Sequence, residues 1–219
     1  MRPLPLAATA AAAVTLGLMA NPARATFVLD TSCGTANCAA GTHFNIDAAN
    51  KDVSSFSGHV SNSGKTGPLV TATTTGNVDT GAGFANIKPV KAGSLTDLIF
   101  TPTDSTLFSD FSFRGQLNRA GFTGAIDVLW TDATGNTGTV SFTVPKAEAD
   151  FGRLGIVSND GETLKSVEIL AGSGESFKEV KQIEFSFAGA PPPVPAPASL
   201  AILGTGLLGF FAFRRRPVR

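Results

Sequence analysis

The residues able to do chemistry are few, and most of them lie far apart in the chain. Cys33 and Cys38 are the only cysteines, with four residues between them in a loop rich in glycine, alanine and asparagine. In an oxidising compartment that spacing reads as a small-loop disulfide, which fastens a loop and leaves the fold to other forces. A metal site would need more ligands than these two sulfurs and the nearby His43 supply. A redox pair would have two intervening residues at the start of a helix. The two histidines, His43 and His59, both fall in the first third of the chain, and no Gly-x-Ser-x-Gly elbow accompanies them. They read as surface or hydrogen-bonded side chains, not as catalytic bases.

Carboxylates are the remaining candidates. Asp97, Asp110, Asp127 and Glu168 fall in strand-like runs and could meet as the acid pair of a glycoside hydrolase. Asp132 with Asn136, or Asn159 with Asp160, could offer oxygens to calcium, although the spacing is not that of an EF-hand. Asp79-Thr80-Gly81-Ala82 has the letters of an aspartic-protease turn, but that chemistry needs two carboxylates sharing one proton and the chain offers one such turn. Gly64-Lys65-Thr66 matches the end of a phosphate-binding loop, yet the first required glycine would fall on His59. Both are expected to be turns or loops. No catalytic residue, resident metal or cofactor is assigned, and the chain is expected not to be an enzyme.

The elements that would position these groups are strands. Ile126, Val128 and Trp130 alternate with Asp127 and Thr131; Val140, Phe142 and Val144 alternate with Ser141 and Thr143; Ile183, Phe185 and Phe187 alternate with Glu184 and Ser186. Further strands are expected over Val53 to Val60, Leu69 to Thr75, Leu95 to Thr101, Leu107 to Gln116 and Ser166 to Leu170. Turn-formers separate them, notably Asp132-Ala133-Thr134-Gly135-Asn136 and Asn159-Asp160-Gly161. Trp130 could stack on a sugar, but its place in an alternating apolar run assigns it to the core. One helical turn is expected near Lys146 to Phe151. Eight or so short strands at this spacing predict an all-β domain, a two-sheet β-sandwich of jelly-roll type with an immunoglobulin-like arrangement as the alternative.

Charged residues make up 16% of the chain, against roughly 25% in ordinary soluble domains. All the acids lie between Asp30 and Glu184, where 17 of them face 11 bases, so the middle of the chain carries −6. A surface for nucleic acid would need clustered positive charge, so no such partner is expected.

Both ends read as addresses. Arg2 precedes the apolar, uncharged run Leu4 to Ala20, and Ala23 and Ala25 supply the small residues of a signal-peptidase site. Residues 1–25 are therefore a signal peptide, and the mature ectodomain covers 26–189. Residues 190–197 form a proline-rich linker, expected to be extended because proline lacks the N–H that helices and sheets use. The uncharged segment 198–213 would span ~24 Å as a transmembrane helix, a little short of the ~30 Å hydrocarbon core. Residues 214–219 form a basic tail, in which Arg214, Arg215 and Arg216 stop transfer and stay cytoplasmic.

The run Val194-Pro195-Ala196-Pro197-Ala198-Ser199-Leu200, continuing into a glycine-bearing apolar segment and an arginine cluster, resembles the PEP-CTERM sorting signal. In that family the motif reads Val-Pro-Glu-Pro-Ala-Ser-Leu, so Ala196 stands where the family has glutamate. The resemblance covers about the last 26 residues. It implies an exosortase, a multi-pass membrane transpeptidase, as transient partner, with cleavage near the motif. It also implies an inner-membrane intermediate that ends on the surface, or in an extracellular polysaccharide matrix, of a Gram-negative bacterium. The stretch Phe151 to Phe187 is similar to the closing strands of PEP-CTERM ectodomains, a likeness of fold and not of activity. The function so implied is a non-catalytic structural or adhesive surface protein, with extracellular polysaccharide as a further implied partner. The alternative is a secreted carbohydrate-binding module or weak glycan-active enzyme.

Overall fold

A computed structural model describes residues 27–30, 33, 38, 40–103, 108–118, 124–144, 151–159 and 161–188. The signal peptide, the proline-rich linker, the apolar segment 198–213 and the basic tail lie outside them. Among the described residues no helix is long and apolar enough to cross a membrane.

Thirteen strands follow one another: β1 Phe27–Leu29, β2 Thr42–Ile46, β3 Asn50–Val60, β4 Leu69–Thr80, β5 Gly83–Phe84, β6 Asn86–Pro89, β7 Asp97–Pro102, β8 Phe108–Leu117, β9 Gly124–Asp132, β10 Thr137–Val144, β11 Phe151–Ser158, β12 Leu164–Ala171 and β13 Phe177–Phe187. All the pairings between them are antiparallel. The alternation seen in the sequence sets their faces. In β9, Ile126, Val128 and Trp130 are buried while Asp127, Leu129 and Thr131 are partly exposed.

The expected two-sheet sandwich is not what forms. Seven strands, in the order β8-β13-β2-β3-β4-β7-β12, close into a barrel when β12 returns to β8 at the pair Leu164 and Phe108. Two wings leave that seam: β11 and then β1 from β8, and β9 and then β10 from β12. The wings meet through Phe27 and Trp130, whose ring centres are 5.0 Å apart. Sandwiches and barrels share strand length and turn spacing. What separates them is the closing pair, which joins residues 56 positions apart and leaves no local trace.

Phenylalanines fill the interior. Phe185 touches four other rings, with centres 4.6 Å from Phe108, 5.2 Å from Phe111, 6.3 Å from Phe100 and 6.5 Å from Phe44. The helical turn expected near Lys146 to Phe151 is corrected at its end, where Phe151 opens β11. Residues 146–150 lie outside the described chain.

Candidate functional site

The outer face of β7-β12-β9-β10 gathers the groups that sequence alone could not bring together. Because alternate side chains share a face and the registers are regular, Ile99, Glu168, Leu129 and Thr139 form one cross-strand row. Ser166, Thr131 and Thr137 form the next row on one side. Asp97, Leu170, Asp127 and Ser141 form the row on the other. The first two rows line an open groove of about 340 Å³.

At its wall β10 passes directly over the indole of Trp130. A methyl group on Gly138 would lie 2.3 Å from Trp130 Cζ2, so only glycine lets the strand pass here. Trp130 itself is 7% exposed, as the core assignment expected.

Three of the four carboxylates suggested as acid partners are therefore on one surface. Their environments differ. Asp97 is buried and accepts hydrogen bonds from Thr75 N at 3.2 Å, from Thr96 Oγ1 at 3.1 Å and from Thr75 Oγ1. Asp127 accepts from Ser141 Oγ at 2.6 Å. Burial pushes the Glu168 carboxyl above its usual 4.5, and the neighbouring charge of Asp97 adds to the shift. The fourth, Asp110, sits on β8 and accepts from Ser109 Oγ at 2.9 Å and Ser158 N at 3.3 Å.

The groove's far end is held by the β9–β10 turn. Asp132 accepts from Thr134 N at 2.9 Å, Thr134 Oγ1 at 2.8 Å, Asn136 N at 2.8 Å and Asn136 Nδ2 at 2.8 Å. Gly135 takes φ 93°, the positive value the turn demands. The oxygens suggested for calcium at Asp132 are thus occupied by their own turn. Of the other suggested pair, Asp160 lies outside the described residues.

The remaining candidates are local. Cys33 and Cys38 stand at disulfide distance, Sγ–Sγ 2.10 Å, and Cys33 packs over Gly155 of β11. Asp30 is close to both sulfurs. His59 Nδ1 lies 2.8 Å from Asp47 Oδ1. His43 stacks on Phe84 with ring centres 4.0 Å apart, and its Nε2 is 3.5 Å from Glu184 Oε1. Arg153 pairs closely with the other oxygen of Glu184. Ser112 Oγ is buried beside this cluster and has no hydrogen-bond partner among the described residues. Asp79 ion-pairs with Lys51 at 2.7 Å and accepts from Asp52 N, and these bonds hold its carboxyl below the usual range. Gly64-Lys65-Thr66 is a loop between β3 and β4.

Sequence reasoning missed Glu184 with Arg153, and it missed the hydroxyls of the groove. A signal for the second was present: Thr137, Thr139, Ser141 and Thr143 alternate on the polar side of one strand.

Comparison with known proteins bears on the other end of the chain. Residues 193–216 match the model of the PEP-CTERM protein-sorting motif, a span that includes Val194 to Pro197 and Arg214 to Arg216. The chain carries a PEP-CTERM protein-sorting motif at these residues. Its motif marks it for export and for membrane-associated sorting by an exosortase. No curated protein matches the chain. Among solved structures, the enzymatically active domain of bacteriophage CBA120 tailspike protein 4 aligns with 76% of this chain and 20% of its own at 10% identity. The TM-score is 0.29, too low to bear on fold or function. This chain thus spans about a fifth of that structure.

Proposed function

We propose that the barrel is the non-catalytic cargo of the sorting motif, a structural or adhesive protein that ends on the cell surface or in an extracellular polysaccharide matrix. The observation that supports this reading is the state of Asp97. A glycoside hydrolase needs one carboxyl to give a proton and a second, free, to act as base or nucleophile. Asp97, the neighbour of Glu168, is instead buried and engaged by Thr75 and Thr96 in tying β7 to β4. Asp127 is likewise bonded to Ser141. Among the described residues, the carboxylates in the row beside Glu168 are thus already engaged in hydrogen bonds, while the hydroxyls around Glu168 suit binding.

The test is retention without turnover. Protein recovered from the extracellular fraction, in whatever form it is exported, is run through gels carrying different polysaccharides, and the polymers are then assayed for new reducing ends. Retardation with no new ends is the expected result, whereas release of reducing sugar would overturn the non-catalytic reading. A weak glycan-active enzyme is the second reading, favoured by the raised carboxyl of Glu168 beside Asp97. It requires that any release disappear in Glu168→Gln.

A further inference from the structure

We infer that the groove on the outer face of β7-β12-β9-β10 binds a glycan without acidic groups, neutral or amino-bearing, and rejects uronate-rich or sulfated chains. The inference rests on the adhesive reading above and gives it a site and a ligand class.

Three observations support it. Thr131, Thr137, Thr139 and Ser166 are on one surface, and each hydroxyl both donates and accepts. A sugar's ring hydroxyls need that two-way capacity. Between these hydroxyls Ile99 and Leu129 are partly exposed, offering the apolar contact that the C–H face of a pyranose seeks. The groove also has the size of a small ligand cleft, at the low end of the roughly 300–1,000 Å³ range. Across four strands at ~4.8 Å spacing it extends roughly 14 Å, enough for a short run of sugar units.

Charge then selects among glycans. Glu168 is the charged residue of the lining, and Asp97 and Asp127 stand in the adjoining row. Lys165 is exposed at the bulge beside Ser166 and is not part of the lining. β10 has no charged residue. An anionic sugar would meet like charge on three strands and find no base in the groove to offset it. An ammonium group would meet Glu168 and be held by a charge-assisted bond. A neutral chain would use the hydroxyls and the Ile99–Leu129 surface alone.

The test compares the wild-type exported protein with Glu168→Gln and Thr139→Arg in affinity electrophoresis on dextran, chitosan and alginate gels. Thermal unfolding of each variant checks that it folds, and Thr139 is an exposed strand position where arginine fits without repacking the core. The wild type is expected to be retarded by dextran and chitosan and to run freely in alginate. Glu168→Gln should lose about tenfold in affinity for chitosan, the worth of one charge-assisted bond, and keep its affinity for dextran. Thr139→Arg should weaken dextran binding and confer retardation in alginate. Retardation that neither variant alters would overturn this site while leaving the adhesive reading standing. Stronger binding to alginate than to dextran by the wild type would overturn the ligand class. Free migration in every gel would overturn the adhesive reading and the groove together.

Discussion

Replacing Asp132 with alanine should loosen the hairpin that builds half of the groove. Its carboxylate is 2% exposed and accepts four hydrogen bonds, two of them from the backbone N–H groups of Thr134 and Asn136. The side chains of Thr134 and Asn136 are exposed and can turn to water, so the loss is carried by the two backbone donors. At about 1.5 kcal/mol for each bond to a charged acceptor, Asp132→Ala should cost ~3 kcal/mol near neutral pH. For a domain of this size that is a fall in Tm of roughly 6–12 °C. Asp132→Asn keeps an acceptor and should lose about half as much. The sign with pH follows from the carboxyl itself. Burial works to raise its pKa, but the bonds from Asn136 and Thr134 outweigh that and hold it below 3.8. Its contribution is therefore complete above 3.8 and is lost as pH falls through the lowered folded value. Circular-dichroism melts between pH 2 and pH 7 measure both effects. A fall under about 2 °C at pH 7, or an alanine variant that keeps the wild-type decline in acid, would refute the reasoning.

Two further outcomes are expected. Phe185→Ala removes the ring that joins Phe44, Phe100, Phe108 and Phe111, and should cost about 3–5 kcal/mol by denaturant unfolding; a loss under about 1 kcal/mol would mean that the barrel is not closed around it. Glu168→Gln should stabilise at neutral pH. Because the folded carboxyl is raised above 4.5, wild-type stability declines as pH climbs from that value through the folded pKa, and the variant lacks the decline. An equal Tm difference between the two proteins at pH 4 and pH 7 would contradict this.

Strand positions were readable because their signal is local. Ile126, Val128 and Trp130 are buried on β9, and Phe142 and Val144 are buried on β10, as alternation demanded. The short strands β1, β5 and β6 are 3, 2 and 4 residues long, too brief for a period of two to register. Closure of the barrel was not readable, since it depends on Leu164 meeting Phe108 and on Glu184 meeting His43. The candidate site divides in the same way. Asp97, Asp127 and Glu168 could be named from the sequence, but their sharing of one face is a matter of register between three strands distant in the chain. Asp132 was suggested as a calcium ligand because it lies in a turn with Asn136, and that same turn is what consumes its oxygens. The sorting motif was legible in full because an order of proline, apolar segment and arginine needs no tertiary structure to be read.

The account stands on that motif, and the most direct measurement is the mass of the exported protein's C-terminal peptide. Exosortase processing predicts that the extracellular form ends near Val194 to Pro197 and lacks Arg214 to Arg219. A C-terminal peptide that runs intact to Arg219 in that fraction would contradict it.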